Sequence, residues 1–561
     1  MNEFIFKIFK ILNFNEKKNI FYMIFFMIIA AFLEVLSIGI IFPFINLIFS
    51  SDSNSLNSTF FNFSFLKKNL SINQLIFLLF ASILIIFLIK NIYLLIFQWW
   101  HTLKINQIKV RLANTLFSKY LYKNLDFHLD NNSSKLIRNN HNEIMLFSKI
   151  LSLIVVMISE SLTTVAILIL MFYVTPVGFI ISVSILGFTS IILNQLFYKK
   201  IILWGTQRLF DSNESLKKLI EGFNGIKEIK NFRAEKFFLN KFNIFQSNLA
   251  ALSVKVHILK YLPKILFEYM AIISFCLVFY YFLVIENKDY SSIISILILF
   301  ALAFARIMPA VNRFIVALQS FQNFYPSLNI IYNELKNVDN SKHFNKMQEN
   351  RKILKFSNFV SLENINFTYP NTNKLIINNL NLKVNKGETI GLIGESGKGK
   401  TTLINIFLGL TKPDSGKIIL DNKEINEFPF FWDKSVGVVS QSVFLTDDTI
   451  INNIAFGINE NDINISKINE ALKVAQLDKF VSNLSKGIHT VVGERGVKIS
   501  GGQLQRLGIA RALYHQPKLI IFDEATSQLD LETEKKIMDL IYSLKGVISL
   551  LIVSHKMSAI E

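Results

Sequence analysis

The chain has 561 residues, 51% of them hydrophobic, with a mean hydropathy of +0.40 and a formal net charge of +18 at pH 7. It is too long for one domain and too apolar for an ordinary soluble protein. The single cysteine, Cys276, excludes a disulfide framework and a cysteine metal site. The basic residues flank apolar runs and do not cluster on one folded face, so no nucleic-acid partner is expected.

Apolar runs long enough to cross a bilayer, which takes ~20 mostly apolar residues, dominate the N-terminal part of the chain. Six such runs lie near residues 20–49, 74–99, 144–173, 177–203, 257–285 and 291–318. Lysine and arginine are frequent before the first run and after the second and fourth, and they are sparse in the opposite loops. The positive-inside rule therefore predicts that both termini, both long loops and the polar C-terminal half are cytoplasmic.

Several charged residues lie inside these runs. The cations are Lys90, Lys264, Arg306 and Arg313. A charge costs a few kcal/mol in hydrocarbon, so such residues face a cavity or each other. One interpretation is internal ion pairing with Glu34 and Glu268. Because the cations outnumber these acids, we also expect a surplus of positive charge that binds an anionic substrate, and the arginine fork suits phosphate best.

A glycine-rich loop follows in the C-terminal half. Residues 394–401 read Gly-Glu-Ser-Gly-Lys-Gly-Lys-Thr, between the apolar run 389–393 and the helix-prone run 403–408. The pattern predicts a strand, a phosphate-binding loop and a helix, rather than a chance glycine turn. Lys400 would contact the β- and γ-phosphates, and the Thr401 hydroxyl would bind Mg²⁺. The predicted nucleotide contacts here are Gly394, Glu395, Ser396, Gly397, Lys398, Gly399, Lys400, Thr401 and Thr402.

Downstream segments predict the rest of a nucleotide site. Asp523 and Glu524 end the apolar run 519–522, where Asp523 would hold Mg²⁺ and Glu524 would polarise the attacking water; a solvated strand end is the alternative. Small residues that open a helix predict a second phosphate loop, formed by Ser500, Gly501, Gly502 and Gln503. His555 follows the apolar run 549–553 and is a candidate γ-phosphate sensor, although a lone histidine at a strand end is usually structural.

Together, residues 356–561 resemble the nucleotide-binding domain of an ATP-binding cassette (ABC) transporter. Residues 394–401 match its Walker A loop, 519–524 its Walker B strand, and 500–503 its signature, with Ile499 where leucine is usual. The resemblance implies ATP and Mg²⁺ as cofactors, with Gln441 as the Q-loop ligand of Mg²⁺ and Tyr369 stacked on adenine. Residues 527–530 resemble the D-loop, and residues 493–496 resemble the segment before the signature.

The resemblance also implies an architecture. We expect an α-helical membrane domain at 1–335, a linker at 336–355 and an α/β P-loop cassette at 356–561. The chain ends six residues after His555, so the cassette is expected to be short at its C-terminus, with an unfinished sheet edge. Since the family sandwiches ATP between two cassettes, a second copy in a homodimer is the simpler expectation, and a partner half-transporter is the alternative. Residues 124–132 and 221–229 are expected to form the coupling helices.

The membrane half is similar to PglK-type flippases of lipid-linked oligosaccharides. The matching residues are 32–34, 43–45, 305–313 and 328–332. This resemblance implies ATP-driven flipping of an isoprenoid-pyrophosphate glycan across the bacterial cytoplasmic membrane, with the four intramembrane cations near the pyrophosphate. Residues 50–70 form either a short helix that meets the lipid tail or an ordinary surface loop. A generic lipid, peptide or drug exporter is the alternative, whereas a non-transporting ATPase would lack the six spans.

Overall fold

The computed structural model describes residues 2–39, 72–286, 290–336, 353–369, 374–395, 397–426, 428, 430–493, 499–525 and 531–554. Contacts along the chain divide it into two compact units. The membrane unit comprises Met1–Lys123 and Asp130–Asn340, and the cassette unit comprises Asn124–Leu129 and Ser341–Glu561. The predicted segment 50–70 lies outside the described residues.

The membrane unit is helical throughout its described part. Its long helices are α1 (Asn2–Ile11), α2 (Phe14–Gly39), α3 (Ile72–Leu121), α6 (Ile144–Val174), α7 (Pro176–Asn224), α9 (Glu235–Tyr280) and α10 (Tyr290–Leu335). Three short helices lie between them along the chain: α4 (Leu125–Asp130), which belongs to the cassette unit as far as Leu129, α5 (Ser133–Arg138) and α8 (Ile226–Asn231). Single π-helical turns occupy Asn139–Glu143 and Tyr281–Ile285. Short helices therefore lie at both predicted coupling positions, the second shifted toward the C-terminus.

Six helical segments in the described residues are long and apolar enough to cross a membrane, which confirms the predicted number of spans. They are Phe14–Ser37, Phe80–Leu121, Ser133–Tyr173, Pro176–Asn224, Glu235–Ile285 and Phe300–Leu335. At 1.5 Å per residue, the 50-residue helix α3 is about 75 Å long, whereas a bilayer core is ~30 Å thick. The helices therefore continue well beyond the apolar runs. The run predicted at 20–49 is described only as far as Gly39.

Two glycines allow close packing on helix α7. A Cβ at Gly178 would overlap the Phe300 ring, and a Cβ at Gly205 would lie 2.3 Å from the backbone oxygen of Asn323. Both neighbours belong to α10, so these positions let the two helices approach closely. Phe300 is fully buried in the apolar core that α6, α7, α9 and α10 share.

The cassette unit has an α/β fold, as predicted. Its central sheet is parallel, in the order β4 (Thr389–Ile393), β10 (Ser549–Ser554), β9 (Leu519–Asp523), β8 (Val436–Val439). A second, antiparallel sheet has the order β3 (Leu375–Asn385), β2 (Phe359–Thr368), β5 (Ser415–Leu420), β6 (Lys423–Glu424). Strands β1 (Ile353–Leu354) and β7 (Phe431–Trp432) form a parallel pair.

Six helices of the described residues complete the cassette unit. They are α11 (Lys400–Phe407), α12 (Ile450–Ile454), α13 (Ile465–Val474), α14 (Asp478–Ser482), α15 (Gly501–Tyr514) and α16 (Leu531–Ser543). Every residue of β9 and β10 is buried, as expected for central parallel strands covered on both faces. The last described strand, β10, therefore lies inside the sheet, and the described edges are β4 and β8.

Candidate nucleotide site and intramembrane charges

The glycine loop joins the C-terminal end of β4 to the N-terminus of α11, in the predicted order of strand, loop and helix. Gly397 and Gly399 have φ angles of +78° and +88°, a region that glycine enters without steric cost. A Cβ at Gly399 would also lie 2.8 Å from Cγ2 of Ile376. The backbone at the start of α11 therefore has the tight turn that a phosphate-binding loop requires.

Lys400, the first residue of α11, turns back over this loop. Its Nζ donates to the carbonyl oxygens of Gly394 and Glu395, at 2.5 and 3.3 Å, and forms an ion pair with Oε1 of Glu524 at 3.1 Å. The lysine predicted to contact phosphate and the carboxylate predicted to activate water are thus neighbours, although they are 124 positions apart in the sequence.

Glu524 lies where β9 ends, with a φ of +48° that is uncommon outside glycine. Its backbone N–H donates to the Val553 oxygen of β10 at 3.0 Å, which fixes the carboxylate at the edge of the loop. Nε2 of Gln441 donates to Oε2 of Glu524 at 3.0 Å. The structure therefore brings Lys400, Gln441 and Glu524 into one cluster, and strained backbone at such a position is typical of functional sites.

Asp523 is 7% exposed, and its Oδ1 has no hydrogen-bond partner in the described residues. Burial is the main cause that raises the pKa of this carboxyl, and the charge of Glu524 raises it further. A hydrogen bond with Thr401 and the charge of Lys400 act in the opposite direction. A buried, unpaired carboxylate oxygen beside a hydroxyl fits a hard cation such as Mg²⁺. Thr401, Gln441 and Asp523 supply only oxygen ligands of the kind that Mg²⁺ prefers.

Tyr369 lies against the same helix. Its hydroxyl is 2.8 Å from Oγ1 of Thr402, and its ring packs edge to face on Phe367 with centroids 5.1 Å apart. Thr402 is buried at the third position of α11. The tyrosine is therefore held beside the glycine loop, where an aromatic ring can stack on a base.

Ser500 begins α15 with a capping box. Its Oγ accepts from the Gln503 N–H at 3.3 Å, and the Gln503 side chain accepts from the Ser500 N–H at 3.0 Å. In the described part of the chain, no hydrogen bond or ion pair links residues 500–503 to residues 394–402. The second candidate phosphate loop is therefore ordered by its own capping box and has no direct polar contact with the first among the described residues.

Gln505, which our sequence analysis missed, connects the two regions. Its Nε2 donates to the backbone oxygen of Gln441 at 2.8 Å, and the side chain is 7% exposed. The signal available in the sequence was a polar residue at a buried position of α15, which a helix otherwise packs with apolar side chains. Gln505 thus ties the helix that begins after Ser500 to the segment that carries Gln441.

Some predicted site residues lie outside the described part of the chain. They are Ser396, His555, residues 494–496 and residues 527–530. Their roles stay predictions.

In the membrane unit, two of the four predicted cations share one carboxylate. Nζ of Lys90 lies 3.6 Å from Oε2 of Glu34, and Arg306 forms an ion pair with Oε1 of the same residue. The Glu34 side chain is 3% exposed, whereas Arg306 keeps 41% of its side chain exposed. The arginine is therefore anchored by a buried acid and still accessible.

Arg313 has a partner that our sequence analysis overlooked. Its Nε and Nη2 donate to Oε1 and Oε2 of Glu160, at 2.6 and 3.0 Å, in a bidentate pair. The Arg313 side chain remains 48% exposed. Glu160 lies inside the third apolar run, so the same rule that identified Glu34 and Glu268 would have identified it. Lys264 lies 5.6 Å from the centroid of the Tyr261 ring.

Sequence profiles of known families match both halves of the chain. The profile of the ABC transporter transmembrane region matches residues 20–308, and the ABC transporter profile matches residues 377–527. The chain belongs to the ABC transporters. It is a multi-pass membrane protein with one nucleotide-binding domain, which confirms the predicted ATP binding and ATP hydrolysis coupled to transport.

Individual proteins similar to this chain include ATP-dependent lipid flippases. The chain is 37% identical over 224 residues to the ATP-dependent lipid A-core flippase of Photobacterium profundum, covering 40% of this chain and 37% of the relative. It is 26% identical over 463 residues to that of Ralstonia nicotianae, covering 81% of this chain and 76% of the relative. The match to the Photobacterium protein thus spans little more than a third of that relative's length.

Among solved structures, a bacterial Atm1-family ABC exporter with ATP bound has a similar fold. The TM-score is 0.75 with 18% sequence identity, and the match covers 96% of this chain and 91% of the exporter. This similarity confirms the exporter-type fold.

Proposed function

We propose that this ABC transporter is a half-transporter that acts as a homodimer and flips an amphipathic anionic lipid across the bacterial cytoplasmic membrane. The substrate we propose is a pyrophosphate-linked oligosaccharide lipid. The observation that carries the proposal is the pair of accessible arginines on α10, Arg306 and Arg313, each bound to an acid and each about half-exposed.

The charge balance of these ion pairs favours an anion. Lys90 and Arg306 share the single carboxylate of Glu34, so this group of three keeps a net positive charge. Arg313 is neutralised by Glu160. The Glu160 carboxylate accepts two hydrogen bonds from the guanidinium, and a phosphate group could take its place. Arg306 and Arg313 are seven positions apart, two helical turns, and so lie on one side of α10. They can bind two phosphate groups of one ligand.

The named relatives support a lipid substrate. Two of them are called ATP-dependent lipid A-core flippases. A second candidate is a generic lipid, peptide or drug exporter. It is favoured by 38% identity to the alpha-hemolysin translocation ATP-binding protein of Proteus vulgaris, in a match that covers 36% of this chain and 28% of that protein. The intramembrane cations distinguish the two candidates, because an uncharged or variable cargo does not need them.

In the proposed mechanism, the cassette residues divide the work between binding and hydrolysis. Residues 394–402 hold the phosphates, and Tyr369 stacks on adenine. When ATP binds, Lys400 gives up its ion pair with Glu524 and contacts the phosphates instead. Thr401, Gln441 and Asp523 would hold Mg²⁺, which neutralises phosphate charge when bound. Glu524 then orients and deprotonates the attacking water. Residues 500–503 of a second copy complete each site, and His555 contacts the γ-phosphate.

The proposed orientation places both termini and the cassette in the cytoplasm, because lysine and arginine accumulate on that side of the spans. We also propose the division into a membrane domain at 1–335, a linker at 336–355 and a cassette at 356–561. Helices α4 and α8 are proposed to couple cassette closure to the spans. Asn124–Leu129 clusters with the cassette unit, where Thr411 donates to Oδ1 of Asp126 at 3.1 Å.

The test is flipping of a fluorescent pyrophosphate-linked lipid by reconstituted protein. We expect Arg306→Ala and Arg313→Ala to lower the flipping rate about tenfold or more, since each removes a charge-assisted contact worth ~1.5–3 kcal/mol. Basal ATPase activity should change less than about twofold, because both residues lie in the membrane unit.

Glu160→Gln is the matched control. It breaks the same ion pair as Arg313→Ala but keeps the positive charge, so it should retain flipping. Wild-type flipping by both arginine variants would contradict the anionic-substrate proposal. Equal losses in Glu160→Gln and Arg313→Ala would show that the pair is only structural.

A further inference from the structure

The cassette unit contains a second cavity, formed by other residues than those of the nucleotide site. Its volume is about 410 Å³. The lining comes from the segment before β8, the turn after α12, the N-terminal end of α13 and the C-terminal end of α15. The side chains used below are Lys434, Asp462, Asn464, Lys467, Tyr514 and His515. None of them belongs to the nucleotide site described above.

Two lysines give this cavity its charge. Neither Lys434 nor Lys467 forms an ion pair with any described residue. Asp462 is the one acid of the lining, and its Oδ2 lies 3.4 Å from Nδ2 of Asn459. Two ammonium groups therefore converge on one polar cavity that holds a single carboxylate, a balance that favours an anionic ligand.

His515 lines the same cavity as the two lysines. Burial is the main cause that lowers its pKa, and the positive charges of Lys434 and Lys467 lower it further. Both lysines are thus close enough to act on the ring. This shift favours the neutral imidazole, in which one ring nitrogen donates a hydrogen bond and the other accepts one. An anion bound between the lysines would reverse their effect on the ring.

Three backbone N–H groups at the start of α13 already have hydrogen-bond partners. Oδ1 of Asn464 accepts from the N–H groups of Ser466 and Lys467, at 3.0 and 3.2 Å, and caps α13. The Asn464 N–H itself donates to the buried Tyr514 hydroxyl at 3.0 Å. These three groups are not available to a ligand, which would be held chiefly by the lysine and histidine side chains.

We propose that this cavity binds a small phosphorylated anion of about the size of a sugar phosphate. Pockets for small organic ligands have volumes of roughly 300–1,000 Å³, and lysine ammonium groups form charge-assisted hydrogen bonds with phosphate oxygens. The site does not depend on which substrate the membrane unit carries.

The position of the cavity connects it to the nucleotide site. Helix α15 begins after Ser500 and ends at Tyr514, on the cavity wall. Strand β8 begins two residues after Lys434 and ends two residues before Gln441. A ligand in the cavity thus contacts the far ends of the two elements that carry Gln441 and the Ser500 loop.

Calorimetric titration of the full-length detergent-solubilised protein with inorganic pyrophosphate tests the proposal. All samples carry Lys400→Ala, Arg306→Ala and Arg313→Ala, so that neither the glycine loop nor the proposed substrate site in the membrane unit binds the probe strongly. We expect a dissociation constant below about 1 mM, weakened tenfold or more in Lys434→Gln/Lys467→Gln. Lys473→Gln, which removes an exposed charge from the C-terminal turn of the same helix α13, should leave binding unchanged.

A second titration, with phosphatidic acid in mixed micelles, separates a soluble phosphate from a lipid headgroup. Because the ligand is proposed to be soluble, the lysine pair should affect pyrophosphate binding at least as strongly as lipid binding. The proposal is overturned if pyrophosphate does not bind, if Lys473→Gln weakens it equally, or if only the lipid responds to the lysine pair. Matching melting curves of the variants establish that loss of binding is not loss of fold.

Discussion

At the scale of single residues, Glu524 is the side chain on which the proposed hydrolysis depends most. It contacts both Lys400 and Gln441, and its left-handed backbone is held by β10. Its neighbour Asp523 points an unpaired oxygen into the same region. The two adjacent carboxylates thus have different environments. Asp523 is buried, which suits it to bind a cation, and Glu524 is ion-paired, in a position to accept a proton.

We expect Glu524→Gln to bind ATP normally but to lose ATP hydrolysis by about 100-fold or more, because an amide cannot accept the proton of the attacking water. Phosphate release at saturating ATP measures turnover, and a fluorescent ATP analogue measures binding. In comparison, Lys400→Ala should weaken ATP binding itself. Near-normal hydrolysis in Glu524→Gln would mean that another group acts as the base.

At the scale of elements, helix α7 shows how the membrane unit packs. It is 49 residues long and approaches α10 closely at Gly205, where no side chain separates it from the Asn323 backbone. Polar side chains also join these helices, since Nε2 of Gln322 on α10 donates to Oδ1 of Asn194 on α7 at 2.8 Å. Small residues and side-chain amides are common at contacts between membrane helices.

Gly205→Ala should therefore destabilise the protein by about 1–3 kcal/mol, because the added methyl must push α7 away from α10. Thermal melting in detergent measures the change as a lower apparent melting temperature. Gly187→Ala on the same helix is the control, since a Cβ there meets nothing within 4 Å. Equal melting of the two variants would show that the close approach contributes nothing.

At the scale of the whole molecule, one chain does not complete the proposed ATP site. The Ser500 loop forms no hydrogen bond or ion pair with residues 394–402 in the part of the chain that the structure describes. In the proposed homodimer, each ATP site would be formed by residues 394–402 of one chain and residues 500–503 of the other, arranged head to tail.

Mixed dimers test this arrangement. We expect dimers of a Lys400→Ala chain and a Gly501→Asp chain to regain up to about half of the wild-type ATPase activity, because only the mixed pair has one intact composite site. Each homodimer should be inactive. Differently tagged chains allow the mixed pair to be purified and assayed. Activity no higher than in either homodimer would contradict sites shared between chains.

The sequence alone determined the features that depend on neighbouring residues. Six apolar runs, the glycine loop at 394–401 and the strand that ends at Asp523 are continuous segments, and a short segment fixes its own helix, turn or strand. Short helices also lie near the two positions expected for coupling helices, at Leu125–Asp130 and Ile226–Asn231. The long helices continue beyond the apolar runs, and their ends are set by packing.

Only the tertiary structure decided which charges meet. Arg313 pairs with Glu160, and Arg306 with Glu34, across 153 and 272 positions of the sequence. Gln505 supports Gln441 from another element, and two lysines and a histidine from three segments line one cavity. Such contacts depend on the rotation and depth of packed helices and on strand order. A residue's neighbours in sequence carry no information about those quantities, because they are set by the burial of whole faces.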